Sequence, residues 1–215
     1  MKGRLGCFAV VMGLAAFAIP VGAASIRGTA FPSAPPAGGP RPVATDVVVW
    51  LESVPERSEH ELALGRRSWF LGRRRTPPKP RLAARHLQFQ PRVLVLAVGD
   101  TLVIHNEDRV WHGSFSVSPA HEFDLGKLAP GHMERLTFRE PGQVQVRCDI
   151  HPDMSMNLVV APNHAFTRPD RAGQWRLPEL PEGSYVLHAW APGLRELRRE
   201  VTLPRHGEVA VELRW

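Results

Sequence analysis

The segment from Cys148 to Met154 brings three metal-binding side chains into seven positions: the thiol of Cys148, the imidazole of His151 and the thioether of Met154. A second imidazole, that of His112, lies farther upstream. One cysteine and two histidines in a trigonal arrangement, with a methionine as a weak axial ligand, form the blue-copper sites of electron-transfer proteins. Thiolate and thioether favour Cu(I) and imidazole suits both oxidation states, so such a set accepts either ion. The pattern predicts a copper site for electron transfer.

A buried cysteine beside a surface histidine is the alternative that involves no metal, and it is the commoner outcome for any one of these residues alone. The occurrence of Cys148, His151 and Met154 together, with an upstream histidine, favours the metal. Zinc is less favoured because structural zinc takes four nitrogen or sulfur ligands without a thioether. A thiol protease is disfavoured because no oxyanion-hole sequence or third catalytic residue is evident. We therefore expect no catalytic residue and no enzymatic activity.

The elements that must position these residues have the pattern of β-strands. From Gln143 to Cys148 the chain alternates strictly, so Val144, Val146 and Cys148 share one face and Cys148 points inward at the strand end. Hydrophobic residues make up 43% of the chain, enough for a core, while 18 glycines and 21 prolines favour short strands joined by turns. The sequence predicts an all-β protein.

Residues 1–24 have the order of a secretory signal peptide: two basic residues, an apolar stretch from Leu5 to Ile19 and small residues up to Ala24. An uncleaved anchor helix is the alternative, which the short apolar run disfavours. We expect cleavage at the end of this segment and a periplasmic protein with no transmembrane segment. Cleavage would lower the formal charge from +6 to +4, because two basic residues leave without an acid, and would leave Cys148 as the only thiol.

Residues 86–160 resemble a cupredoxin of the plastocyanin and amicyanin type. The resemblance is carried by Val98-Gly99-Asp100-Thr101, Ser114-Phe115-Ser116, Phe123-Asp124-Leu125-Gly126 and, most specifically, the loop from Cys148 to His151 followed by Met154. The wider chain resembles bacterial exported proteins labelled methylamine utilisation proteins. The family implies a Greek-key β-sandwich that transfers electrons to and from a redox partner protein, such as a cytochrome or a dehydrogenase.

The resemblance also implies one type 1 copper ion, with His112, Cys148, His151 and Met154 as its ligands. Met156 is a rival axial ligand, because cupredoxins also use a spacing two residues longer. Gly113 departs from the family, since many cupredoxins have an asparagine there whose side chain ties the two ligand segments together. Glycine has no side chain to make this contact, so the sequence predicts weaker support of the two ligand segments at this position.

The flanking segments, 25–54 and 161–215, resemble a smaller carboxypeptidase-regulatory, transthyretin-like β-sandwich, with the cupredoxin inserted between its strands. Residues 55–85, which follow the first flanking segment, are predicted to form an exposed connector rich in proline and arginine, with a short helix near Glu59 to Leu64. From Glu56 to Arg92 the chain has ten basic and three acidic residues. This charge favours steering toward an acidic partner, with a plain solvated linker as the alternative.

Nucleic acid is not expected as a partner, because the protein is predicted to be exported and aromatic residues are few in the basic segment. The sequence predicts no oligomeric state. Trp111, beside His112, is expected to pack in the core. The leading hypothesis is an exported type 1 copper electron carrier. The alternatives are a copper-holding or delivery protein and a non-redox binding module with a degenerate site.

Overall fold

The computed structural model describes residues 24–35, 40–64 and 80–215. The predicted signal peptide, apart from its last residue, and the arginine-rich centre of the predicted connector lie outside these ranges. The prediction of an all-β sandwich protein is confirmed. No helix in the described ranges has the length and apolar character needed to cross a membrane.

Sixteen strands and one α-helix make up the described fold. The helix α1 is Glu56–Ala63, where a short helix was predicted, and a 3-10 turn covers Ala44–Asp46. The strands are β1 (Ala24–Phe31), β2 (Val48–Leu51), β3 (Arg81–Arg85), β4 (Gln88–Gln90), β5 (Val93–Ala97), β6 (Thr101–Asn106), β7 (His112–Ser118), β8 (His121–Leu128), β9 (Met133–Thr137), β10 (Gly142–Arg147), β11 (Ser155–Ala161), β12 (Phe166–Thr167), β13 (Gln174–Arg176), β14 (Gly183–Trp190), β15 (Leu197–Leu203) and β16 (Gly207–Arg214).

The two ends of the described chain share one hydrophobic core. Its sheets have the strand orders β13-β1-β16 and β12-β2-β14-β15. In the first sheet β1 pairs parallel with β16, so that Ile26 lies opposite Val209. In the second sheet β2 pairs antiparallel with β14. The core between them takes buried residues from both ends, including Ile26, Leu51, Trp175, Leu187 and Leu213. We call this unit the flanking sandwich.

A second core lies between the sheets β5-β11-β10-β7-β8 and β4-β3-β6-β9. We call this unit the central sandwich. Its buried residues include Leu82, Phe89, Ile104, Phe138 and Leu158. The strand β3 falls in the segment expected to be part of the connector. It belongs to this sheet instead, because Leu82 and Ala84 are buried, alternate with less buried residues, and β3 pairs with β6.

The two sandwiches are in contact through β11. Alternate residues of this strand face opposite sides, as in any β-strand. Met156, Leu158 and Val160 enter the core of the central sandwich. Val159 and Ala161 join a separate apolar cluster that includes Trp50, Trp190, Val48 and Val93. Beside this cluster, the guanidinium of Arg92 pairs with the buried carboxylate of Asp46.

Candidate metal centre

Cys148 lies one residue beyond the end of β10, on the buried face of the strand. Val144 and Val146 precede it on that face, and the exposed fraction of Cys148 is 4%. The N–H of Cys148 donates to the carbonyl oxygen of Met154 at 3.1 Å, and the N–H of Met154 donates to the carbonyl oxygen of His151 at 2.9 Å. These two hydrogen bonds close the loop from Cys148 to Met154, so its three candidate ligands are held by backbone geometry.

His112 reaches the same place from another strand. It is the first residue of β7, which pairs with β10, and only 1% of it is exposed. Its Nδ1 lies 3.1 Å from the Nδ1 of His151 and 3.9 Å from the Sγ of Cys148. The Nδ1 of His151 lies 3.7 Å from the same sulfur. Within the described ranges, these three residues form a group whose ligand atoms are all within 4.8 Å of one another.

The spacing of these three atoms fits a single metal ion. A transition metal binds an imidazole nitrogen at about 2.0–2.1 Å and a thiolate at about 2.3 Å. A point in the plane of the three atoms, about 2.05 Å from each nitrogen, lies about 2.1 Å from the sulfur. All three bond lengths are therefore satisfied at once without moving a side chain by more than a few tenths of an ångström. Two imidazoles and one thiolate are also the donor types found in the trigonal plane of blue-copper sites.

The pairing register of β10 and β11 indicates which methionine lies nearer to Cys148. Val146 pairs with Met156 and Arg147 with Ser155. The next step in this register places Met154 opposite Cys148, in agreement with their backbone hydrogen bond. Side chains directly opposite on one face have Cβ atoms about 4.5–5.5 Å apart, against about 7–8 Å for the diagonal neighbour. Both methionines are buried, and the register favours Met154 as the nearer sulfur.

The outer nitrogen of His112 is bound by a carboxylate. Its Nε2 lies 2.9 Å from the Oδ2 of Asp108. A carboxylate only accepts hydrogen bonds, so the Nε2–H of His112 is the donor in this contact, and its Nδ1 is the ring nitrogen on the side of the sulfur. Burial works to raise the pKa of Asp108, but hydrogen bonds from the backbone of Leu87 and His86 and from His112 hold it below its ordinary value. Asp108 is therefore an anion at neutral pH.

Gly113 makes room for an acidic side chain. A Cβ atom at Gly113 would lie 1.8 Å from the Oδ1 of Asp149, so the carboxylate occupies the space of a side chain at this position. Asp149 belongs to the cysteine loop. The carboxylate of Asp149 therefore brings the cysteine loop into contact with the segment that carries His112. Sequence reasoning assigned no role to Asp149.

A buried asparagine shapes the loop that precedes His112. The side chain of Asn106 is fully buried, and its Nδ2 donates to the carbonyl oxygens of Val110 and Leu128 at 2.8 and 2.9 Å. Its Oδ1 accepts from the N–H of Asp108 at 3.0 Å. Neither Asn106 nor Asp108 was predicted to act at the site.

Several large apolar side chains are exposed in the segments near the site. His151 is half-buried, whereas His112 is enclosed. Trp111 is 53% exposed, so the prediction that it packs in the core is wrong. Trp111 precedes β7 directly, and its side chain lies on the surface beside the buried His112. Large exposed apolar side chains in the segments that border the site are Leu87, Val110, Trp111, Met133 and Ile150.

No family model matches the chain, and no curated protein matches it. Solved structures similar to part of it include a copper-containing nitrite reductase from Thermus scotoductus, with 29% identity, a TM-score of 0.37 and coverage of 42% of this chain. The match spans 24% of the length of that reductase. An oxidised variant of amicyanin matches with 21% identity, a TM-score of 0.37 and coverage of 39% of this chain and 83% of its own. A Cu(I) form of another amicyanin variant matches with 21% identity, a TM-score of 0.36 and coverage of 38% and 80%.

Proposed function

We propose that the chain is an exported type 1 copper protein that transfers electrons by cycling one ion between Cu(I) and Cu(II). The observation that carries this proposal is the spacing of His112 Nδ1, His151 Nδ1 and Cys148 Sγ, which leaves one position at bonding distance from all three. Met154 is the proposed axial ligand. When bound, copper supplies the one-electron chemistry, and no substrate bond is broken.

The residues of the chain supply a fixed geometry. His112 and Cys148 are buried, the cysteine loop is closed by two backbone hydrogen bonds, and the outer nitrogen of His112 is held by Asp108. A ligand set that cannot relax between a Cu(I) and a Cu(II) arrangement changes little when the electron moves. This rigidity supports a carrier over a protein that must release its metal to deliver it.

The surroundings of the site support docking of a redox partner protein. The half-buried ring of His151 is the ligand nearest to solvent, and exposed apolar side chains such as Trp111 and Ile150 border it. Exposed apolar residues that cluster around one site mark an interaction surface. The excess of basic residues between Glu56 and Arg92 favours an acidic partner, and the predicted signal peptide favours a periplasmic location.

The test is copper loading of the chain without residues 1–24. We expect an intense visible absorption band and a type 1 EPR spectrum for the Cu(II) form, with a reversible redox wave, and we expect Cys148→Ser to lose the band. His132→Asn, which changes an exposed histidine, is the control and should keep it. Equal spectra for the unsubstituted protein and folded Cys148→Ser would refute the site. Tight Cu(I) binding with no colour on oxidation would instead indicate a copper-holding protein.

A further inference from the structure

The turn between β3 and β4 has an unusual backbone. Arg85 pairs with Gln88, so the turn itself consists of His86 and Leu87. Both residues have positive φ, 55° and 57°. Two-residue hairpin turns of this kind favour asparagine followed by glycine, because other side chains are strained in the left-handed region. Strain of this kind concentrates at functional sites, where surrounding contacts maintain it.

Both N–H groups of this turn point to one carboxylate. The N–H of His86 donates to Asp108 Oδ1 at 2.7 Å, and the N–H of Leu87 donates to Asp108 Oδ2 at 3.0 Å. The same Oδ2 accepts the Nε2–H of His112 at 2.9 Å. The left-handed turn is what aims two consecutive N–H groups at one side chain. Asp108 is therefore fixed on one side by the turn and fixes a candidate metal ligand on the other.

We propose that Asp108, held by the His86–Leu87 turn, is a positioning residue that sets the tautomer of His112 and favours the oxidised state of the copper site. This inference rests on the proposed function. A ligating histidine whose outer N–H is bound by a carboxylate becomes a stronger donor through its inner nitrogen. The carboxylate also places a full negative charge one ring away from the ion, and Cu(II) gains more from that charge than Cu(I).

The first test removes the charge. Asp108→Asn keeps one oxygen that can accept the His112 N–H but loses the charge and the second oxygen, which accepts the N–H of His86. Loss of a partner outside the ligand set typically weakens metal binding about 10–100-fold, and we expect the affinity for Cu(II) to fall about tenfold more than that for Cu(I). A tenfold difference corresponds to a rise of about 59 mV in the reduction potential of a one-electron couple.

The second test needs no metal. Nitrogen-15 NMR of the metal-free protein should show His112 in the Nε2–H tautomer, and Asp108→Leu, which removes the acceptor, should yield a mixture of tautomers. Asp170→Asn is the matched control, since Asp170 also accepts two backbone N–H groups in a turn but lies in the flanking sandwich. Asp170→Asn should change neither the reduction potential nor the tautomer of His112.

The outcomes distinguish this inference from the proposed function. If the unsubstituted protein takes up no copper, the proposed function fails, while the tautomer of His112 still tests the role of Asp108. If the protein is blue but folded Asp108→Asn has an unchanged potential, or if His112 keeps its tautomer in folded Asp108→Leu, the role of Asp108 is refuted.

Discussion

His164 connects three parts of the fold and makes their association depend on pH. Its Nδ1 lies 2.5 Å from Oε1 of Glu59 in α1, and its Nε2 lies 3.3 Å from Oδ1 of Asp100 in the turn between β5 and β6. The pKa of His164 is raised to about 9 by the hydrogen bond to Asp100 and, against the effect of burial, by the hydrogen bond and charge of Glu59. We predict that this histidine is charged in the folded protein at neutral pH.

The shift sets the size and the direction of the effect on stability. The pKa rises from 6.5 to about 9 on folding, and each unit is worth about 1.36 kcal/mol. The interaction therefore contributes roughly 3 kcal/mol to the free energy of unfolding. A group whose pKa is higher in the folded state binds the proton more tightly there. Its contribution is complete below about pH 6.5 and is lost as the pH rises through about 9.

Urea unfolding between pH 6 and pH 10 measures this contribution. The unsubstituted protein should lose roughly 3 kcal/mol more than His164→Gln over this interval, and the two proteins should be nearly equally stable at the alkaline end. The comparison with the variant removes the effects of other groups that titrate in the same range. His206→Gln, at an exposed position, is the control and should follow the unsubstituted protein. Parallel pH profiles for the unsubstituted protein and His164→Gln would refute the reasoning.

Four further variants test the site and its supports. Met154→Ala should shift the visible spectrum and the reduction potential of the copper-loaded protein. Met156→Ala should leave the spectrum nearly unchanged and lower the free energy of unfolding, measured in urea, by about 2–5 kcal/mol. The reverse pattern would make Met156 the axial ligand. Gly113→Ala should displace the adjoining carboxylate and weaken copper binding in a competition titration, and unchanged affinity would show that this contact does not support the site. His86→Asn with Leu87→Gly should raise the free energy of unfolding by about 1–3 kcal/mol by relieving strain, and a loss of stability would contradict the strain argument.

The three candidate ligands of the cysteine loop could be predicted from the sequence because they lie close together along the chain. Alternation along β10 predicts that Cys148 points inward, and the short loop keeps His151 and Met154 within reach of it. His112 was put forward as an upstream imidazole, and the resemblance to cupredoxins then assigned it as a ligand. Its place beside Cys148 depends on the pairing of β7 with β10, which joins residues far apart in sequence and has no periodic signal.

The residues that support the site could not be found in this way. Asp108 reaches His112 through a turn whose left-handed backbone is unusual for its sequence, and Asp149 is seated by the absence of a side chain at Gly113. Trp111 was expected in the core because large apolar side chains are usually buried, but it lies just before β7 and its side chain is exposed. The arginines that flank Leu82 and Ala84 similarly concealed β3 within a basic segment.

The strand β11 explains how a loop at one end of the central sandwich can be held rigidly. It begins directly after Met154, and its inward residues, such as Met156 and Leu158, pack in the core of the central sandwich. Its other face places Val159 and Ala161 against the tryptophans of the flanking sandwich. A shift of β11 would have to disrupt both contacts at once. The backbone that carries the proposed axial ligand is therefore braced from two sides, and a site whose ligands cannot follow the preferences of either oxidation state favours fast electron transfer.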